Sequence, residues 1–102
     1  MDRPRGMKVA VVTGAGRGIG QATAVRLAED GYMVIAADRV ATMARQTEKM
    51  ISGGACRAAE LDVTDRDAVN ALVRRVVEEL GGVHVVVNNA MWFRYVPLAD
   101  VT

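Results

Sequence analysis

Four short apolar runs, rich in β-branched residues, recur along this chain, and segments with helical spacing separate them. Lys8–Val12 reads KVAVV and runs into a cluster of glycines. Met33–Ala37 reads MVIAA and ends at Asp38. Cys56–Leu61 is less apolar, as a strand near a sheet edge is. Val83–Val87 is interrupted only by His84. Continuous runs of this kind are expected of strands covered on both faces. Three helices are predicted between them. In the first, Ile19, Ala22, Leu27 and Ala28 recur at helical spacing up to a stop at Gly31. The second covers Val40–Ser52, with Met43, Thr47, Met50 and Ile51 inward and Gly53-Gly54 at its end. The third carries a stripe of Val69, Leu72, Val73, Val76, Val77 and Leu80, with Thr64 as its cap, Asp67 in the capping-box position and Gly81-Gly82 as its stop.

Strands joined by helical crossovers run parallel, and the crossovers are right-handed. The pattern therefore predicts a three-layer α/β fold: half of a doubly wound, Rossmann-type parallel sheet in the order 3-2-1-4, with helices on both faces. A length of 102 residues allows one domain, and no linker or repeat divides residues 1–102. The net charge is +1 with both signs interspersed, and there is no basic run or basic helix face, so neither nucleic acid nor an anionic membrane surface is an expected partner. No apolar run approaches the roughly 18 residues of a membrane helix. The leader MDRPRG is too short and polar for a signal peptide, and Cys56, the only cysteine, rules out an internal disulfide. A reducing, cytoplasmic location is the expectation.

In such a sheet, ligands bind beyond the carboxyl ends of the strands, where strand order reverses. The first strand enters TGAGRGIG, Thr13 to Gly20, which opens the first helix. Gly14 suits the tight turn. Gly18 and Gly20 suit close approach of backbone to a pyrophosphate and of helix to sheet, and the N–H groups of the helix start, Ile19 among them, favour anions. A glycine triplet in this context points to a dinucleotide. Asp38 ends the second strand at the spacing where a carboxylate accepts from both hydroxyls of an adenosine ribose. It also repels a 2′-phosphate. Arg17 and Arg39 argue the other way, since either can pair with that phosphate. The carboxylate weighs more, because a phosphate dianion against it is costly, and NAD is expected over NADP. Asp62, followed by Val63, ends the third strand. It either accepts the adenine amino group or forms a side-chain turn ahead of Thr64. Asn88-Asn89-Ala90 end the fourth, where an asparagine ties strand ends together or touches a ribose.

Thr13-Gly14-x-x-x-Gly18-x-Gly20, Asp62-Val63, Asn88-Asn89-Ala90 and the segment Pro97–Thr102, in that order, resemble the short-chain dehydrogenase/reductase family from about Lys8 onward. The resemblance implies an NAD(P)-dependent oxidoreductase in which Asp38 selects NAD and Asn89 faces the cofactor ribose. The implied cofactor set is Gly14, Arg17, Gly18, Ile19, Gly20, Asp38, Arg39, Asp62, Val63, Asn89 and Ala90. Met91 departs from the family's glycine, which permits close backbone approach near the nicotinamide end, and its side chain is expected either to disturb that cofactor contact or to narrow the substrate side of the cleft. His84 stands where the family carries Asp, and a structural part is expected for it.

The family's proton relay of a tyrosine, a lysine four residues later and a serine is not matched. Tyr32 is followed at that spacing by Ala36, and Tyr95 by Ala99. No catalytic residue and no metal ligand is therefore assigned. The chain reads as a truncated dinucleotide-binding portion with negligible expected turnover of its own. The alternatives are a non-catalytic NAD-binding module, or an interaction fragment that pairs through its fourth strand with a complete relative. Trp92, Phe93 and Tyr95 are read as packing or subunit contacts before substrate contacts. An open fourth strand is expected to bring marginal stability or homo-oligomers.

Overall fold

The computed structural model describes residues 7–89. The elements follow in the order β1 (Val9–Thr13), α1 (Gly18–Glu29), β2 (Met33–Asp38), α2 (Ala41–Met50), β3 (Cys56–Glu60), α3 (Arg66–Leu80) and β4 (Val85–Asn88). The strands form one four-stranded parallel sheet in the order β3-β2-β1-β4. This is the expected half of a doubly wound fold.

Side chains alternate across a strand, so each central strand feeds two cores. On one face Val9 and Val11 of β1 and Met33, Ile35 and Ala37 of β2 pack with Leu72, Val76 and Leu80 of α3. On the other, Val12, Val34 and Ala36 meet Ala24 of α1, with Leu27 and Ala28 packed alongside. Each fully buried Val or Ile contributes about 1.5–3 kcal/mol. The second face is built largely of small residues, and this lets α1 lie close to the strand ends it must serve.

The helices depart from the sequence reading in several places; in α3 the predicted stripe is buried at Leu72, Val76 and Leu80, while Val73 and Val77 are exposed. In α1 the buried residues are Gly20 and Ala24, while Ile19 is 77% exposed and Ala22 is exposed. The helix starts at the strand end, so its first turn overhangs the sheet and Ile19 faces outward. In α2 the buried pair is Ala44 and Thr47, and Met50 is exposed. The cap of α3 is Asp65, whose carboxylate accepts from Ala68 N at 3.1 Å. Thr64 is engaged instead with Asp62, and with Ala68 at the third helical position no reciprocal capping box forms.

The two edge strands are treated differently. The outward side of β3 is covered: Ala58 N donates to the Glu48 carboxylate of α2 at 2.8 Å, and Arg57 pairs with Glu79 of α3. Occupying edge donors with a carboxylate blunts strand addition. β4 was expected to be buried, but its residues are half-buried or exposed in alternation, with Val86 and Asn88 exposed. Among the described residues only one of its edges is paired, with β1, and Val73 and Val77 of α3 are also exposed. His84 joins the start of β1 from both sides. Its N–H donates to Val9 O at 2.9 Å, and its Nδ1 accepts from Val9 N at 3.0 Å, so the ring proton sits on Nε2. This is a structural part, as expected. Among the described residues, no helix is long and apolar enough to cross a membrane.

Candidate functional site

The carboxyl ends of β1, β2, β3 and β4 gather Gly14 to Gly20, Asp38, Asp62 and Asn89 at one rim of the sheet. The loop between β1 and α1 has Gly14 at φ 63° and Gly18 at φ 60°, conformations that side chains with a Cβ rarely adopt. Gly20 answers a different need. A Cβ there would lie 2.0 Å from Gly14 O and 2.6 Å from the Asn89 amide nitrogen, so the helix start sits directly on the turn. Arg17 precedes the helix in extended conformation and gives it no side-chain cap, and no acidic residue lies in the first turn. The first N–H groups of a helix have no partner within it. Here nothing on the helix itself neutralises them, which leaves an anion-accepting end.

Asp38 is tied into this loop. Its Oδ2 accepts from Gly16 N and its Oδ1 from Val40 N, both at 2.9 Å. Its main-chain oxygen accepts from Leu61 N at 2.9 Å. One residue thus links the ends of β1, β2 and β3. A Cβ on Gly16 would stand 2.7 Å from Asp38 Oδ2 and 2.6 Å from Met43 Cβ, so the carboxylate and the glycine fit each other. A carboxylate offers about four acceptor positions. Two are used, and a pair of ribose hydroxyls is within its remaining capacity. Arg17 and Arg39 are exposed. The ion pairs among the described residues are Arg26–Asp30 and Arg57–Glu79, so neither loop arginine is engaged in one.

Asp62 forms the side-chain turn weighed in the sequence. Its Oδ1 accepts from Thr64 N at 2.9 Å and from Thr64 Oγ1 at 2.6 Å. These bonds favour the ionised form and hold its pKa below the usual carboxylate value, with the positive charge of Arg39 adding a smaller push. Both Thr64 bonds fall on one oxygen, and the group is fully exposed. The turn and an adenine contact are therefore compatible. Val63 beside it is 37% exposed.

Asn89 ties strand ends together. Its N–H donates to Thr13 Oγ1 at 3.0 Å, and its side-chain amide donates to Gly14 O at 3.3 Å. Thr13 Oγ1 in turn donates to Val87 O at 3.4 Å. Ala90, Met91, Trp92, Phe93, Tyr95 and the segment Pro97–Thr102 lie outside the described residues.

Two residues that the sequence reading did not place at the site belong to it. Thr47, fully buried in α2, donates through Oγ1 to Ala15 O at 2.6 Å. Gln21 of α1 donates from Nε2 to Gly16 O at 3.3 Å and to Thr47 Oγ1 at 3.2 Å. The available signal was a threonine among the apolar residues of an inward helix face. A buried hydroxyl requires a partner, and no apolar neighbour supplies one.

Comparison with known proteins agrees with this geometry. The short chain dehydrogenase family model matches residues 8–102. Galactitol 2-dehydrogenase of Agrobacterium fabrum is 44% identical over 96 residues, which is 93% of this chain and 37% of that protein. The short-chain dehydrogenase/reductase homolog YusS of Bacillus subtilis is 36% identical over 97 residues, covering 92% of this chain and 89% of that one. The crystal structure of 3-ketoacyl-(acyl-carrier-protein) reductase from Brucella melitensis complexed with NADH superposes with a TM-score of 0.72 at 34% identity, over 78% of this chain and 32% of that chain. The chain thus spans well under half the length of most of these relatives, with YusS the exception. With the match running from residue 8 to residue 102, and with the sheet order and the glycine loop in their places, the chain belongs to the short-chain dehydrogenase family.

Proposed function

We propose that this chain is the dinucleotide-binding portion of an NAD(P)-dependent oxidoreductase and that it prefers NAD. The observation that carries the reading is the Asp38 carboxylate, fixed by Gly16 N and Val40 N beside an uncapped helix start. In this reading Gly14, Gly18, Ile19 and Gly20 hold the pyrophosphate and Asp38 accepts from the adenosine ribose. Asp62 and Val63 border the adenine, and Asn89 with Ala90 borders the second ribose. Arg17 and Arg39 flank the ribose edge as exposed cations. The bound nicotinamide supplies the hydride chemistry, and the protein supplies orientation. The chain's own residues bind, turn the loop toward the phosphates and set the charge at the ribose. Residues 1–102 are proposed to act as one such unit, with proton transfer provided by groups outside it.

A second reading rests on the half-open edge of β4 and the exposed Val73, Val77 and Val86. There the chain holds NAD without turnover and pairs along β4 with a further strand, of its own kind or of a relative.

Calorimetric titration of the purified chain with NADH and NADPH tests the main reading. Saturable binding with NADH the tighter ligand supports it, and absence of binding to a folded sample overturns it. Sedimentation of the same sample separates the two readings, since pairing along β4 raises the mass.

A further inference from the structure

We propose that Thr47, assisted by Gln21, is a positioning residue for the cofactor loop: it fixes the orientation of the Ala15–Gly16 peptide and, through it, both the pyrophosphate-facing backbone and the Asp38 carboxylate. The inference rests on the dinucleotide reading above and concerns how the site is held ready.

A peptide unit is planar and trans, so its C=O and N–H point in opposite directions. The Ala15–Gly16 unit is gripped at both ends. Its carbonyl accepts from Thr47 Oγ1 at 2.6 Å, and its N–H donates to Asp38 Oδ2 at 2.9 Å. Thr47 has one hydroxyl proton, and the shorter contact takes it, rather than the 3.5 Å approach to Met43 O in its own helix. The hydroxyl then accepts from Gln21 Nε2, which also reaches Gly16 O. Two successive loop carbonyls are thereby drawn toward side-chain donors. The N–H of Arg17, opposite the Gly16 carbonyl in its own peptide unit, is turned away from Gln21.

A loop rich in glycine has a low barrier to peptide rotation. Rotation of the Ala15–Gly16 unit would turn the Ala15 carbonyl toward the Asp38 carboxylate and release Asp38 from one of its two donors, and loss of the linked Gln21 contact would free the Gly16 carbonyl to turn toward the phosphates. The buried Thr47 hydroxyl opposes that rotation from α2. Its placement is costly unless bonded, and both of its bonds serve the loop. A helix face that needed only to pack would be served by valine, which has the same shape without the hydroxyl.

The test compares the wild-type chain with Thr47→Val, Thr47→Ser and Gln21→Met, titrated with NADH, ADP and adenosine. Thermal unfolding of each variant is followed in parallel. Thr47→Val is expected to weaken NADH and ADP about tenfold while changing adenosine, which has no phosphate and meets a carboxylate still held by Val40 N, by less than about threefold. Thr47→Ser restores the hydroxyl and should restore affinity. Gln21→Met, at a partly exposed position, should give a smaller loss of the same selectivity. It decides the matter if Thr47→Val does not fold. Equal weakening of all three ligands, or unchanged binding of NADH and ADP by folded variants, overturns the positioning role. Wild-type protein that binds none of the three overturns the dinucleotide reading itself, and the positioning role with it.

Discussion

Replacing Asp38 by alanine should do more than delete a ribose contact. The carboxylate occupies two backbone donors, Gly16 N and Val40 N, each at 2.9 Å. Bonds to an ionised acceptor contribute about 1.5–3 kcal/mol each when buried. Here one is part-buried and the other exposed, so water replaces part of the loss and the expected destabilisation is about 2 kcal/mol in total, or roughly 10 °C in melting temperature for a domain of this size. The same substitution removes the charge that a 2′-phosphate would face. Two unit charges about 4 Å apart at an effective dielectric of about 20 repel by ~4 kcal/mol, and exposure reduces this to about 2 kcal/mol. The ratio of NADPH to NADH affinity should therefore rise by about 30-fold. The freed N–H groups of Gly16 and Val40, with Arg17 and Arg39 close in sequence, provide donors for the added phosphate.

Asp38→Asn separates the two contributions. It removes the charge while keeping one acceptor oxygen for one of the donors. Titrations with NADH and NADPH at fixed low ionic strength read the ratio for each variant. A rise in both variants, larger in the alanine, is the expected pattern. A ratio unchanged in both would refute the reasoning, because it would mean that neither the charge nor the occupied donors face the 2′ position.

Three further outcomes follow from the geometry. Gly20→Ala drives a Cβ to 2.0 Å from Gly14 O and should cost about 3 kcal/mol with loss of NADH binding; Gly18→Ala, which meets open space at φ 60°, should cost only about 1–2 kcal/mol, and denaturant unfolding showing the reverse order would disprove this account of the loop. Asp65→Ala removes the cap of α3 and should lower stability by about 1 kcal/mol, more than Thr64→Ala does; equal or reversed effects in urea titration would return the cap to Thr64. Burial, with the nearby negative charge of Glu48, pushes the Cys56 thiol up to about 12, so a thiol reagent at pH 8 should label the native chain on the order of 10³-fold more slowly than the urea-unfolded chain, and equal rates would place the thiol outside the core.

Much of the architecture was legible in the linear pattern. Strands covered on both faces must be apolar at every position, so KVAVV and MVIAA are visible without knowledge of their neighbours. Parallel pairing follows from the crossovers, and the order β3-β2-β1-β4 is that of the doubly wound pattern. The glycine spacing and the residues at the strand ends marked the rim where the candidate site assembles. Periodicity was less decisive for the helices. Ile19 and Met50 fit an inward stripe by spacing yet are exposed, one in the first turn of α1 and the other at the last residue of α2.

Tertiary contact alone decided how the site residues are used. Asp38 and Gly16 are 22 positions apart, and Thr47 and Ala15 are 32 apart. No local rule relates such pairs, since a hydrogen bond depends on where two backbones finally lie, and spacing along the chain does not encode that. The sequence supplied the residue types at the strand ends. The packing of α1 and α2 on a sheet face of small side chains brought a threonine beneath the loop and a carboxylate beside it, and it is that packing which orients the peptide between them.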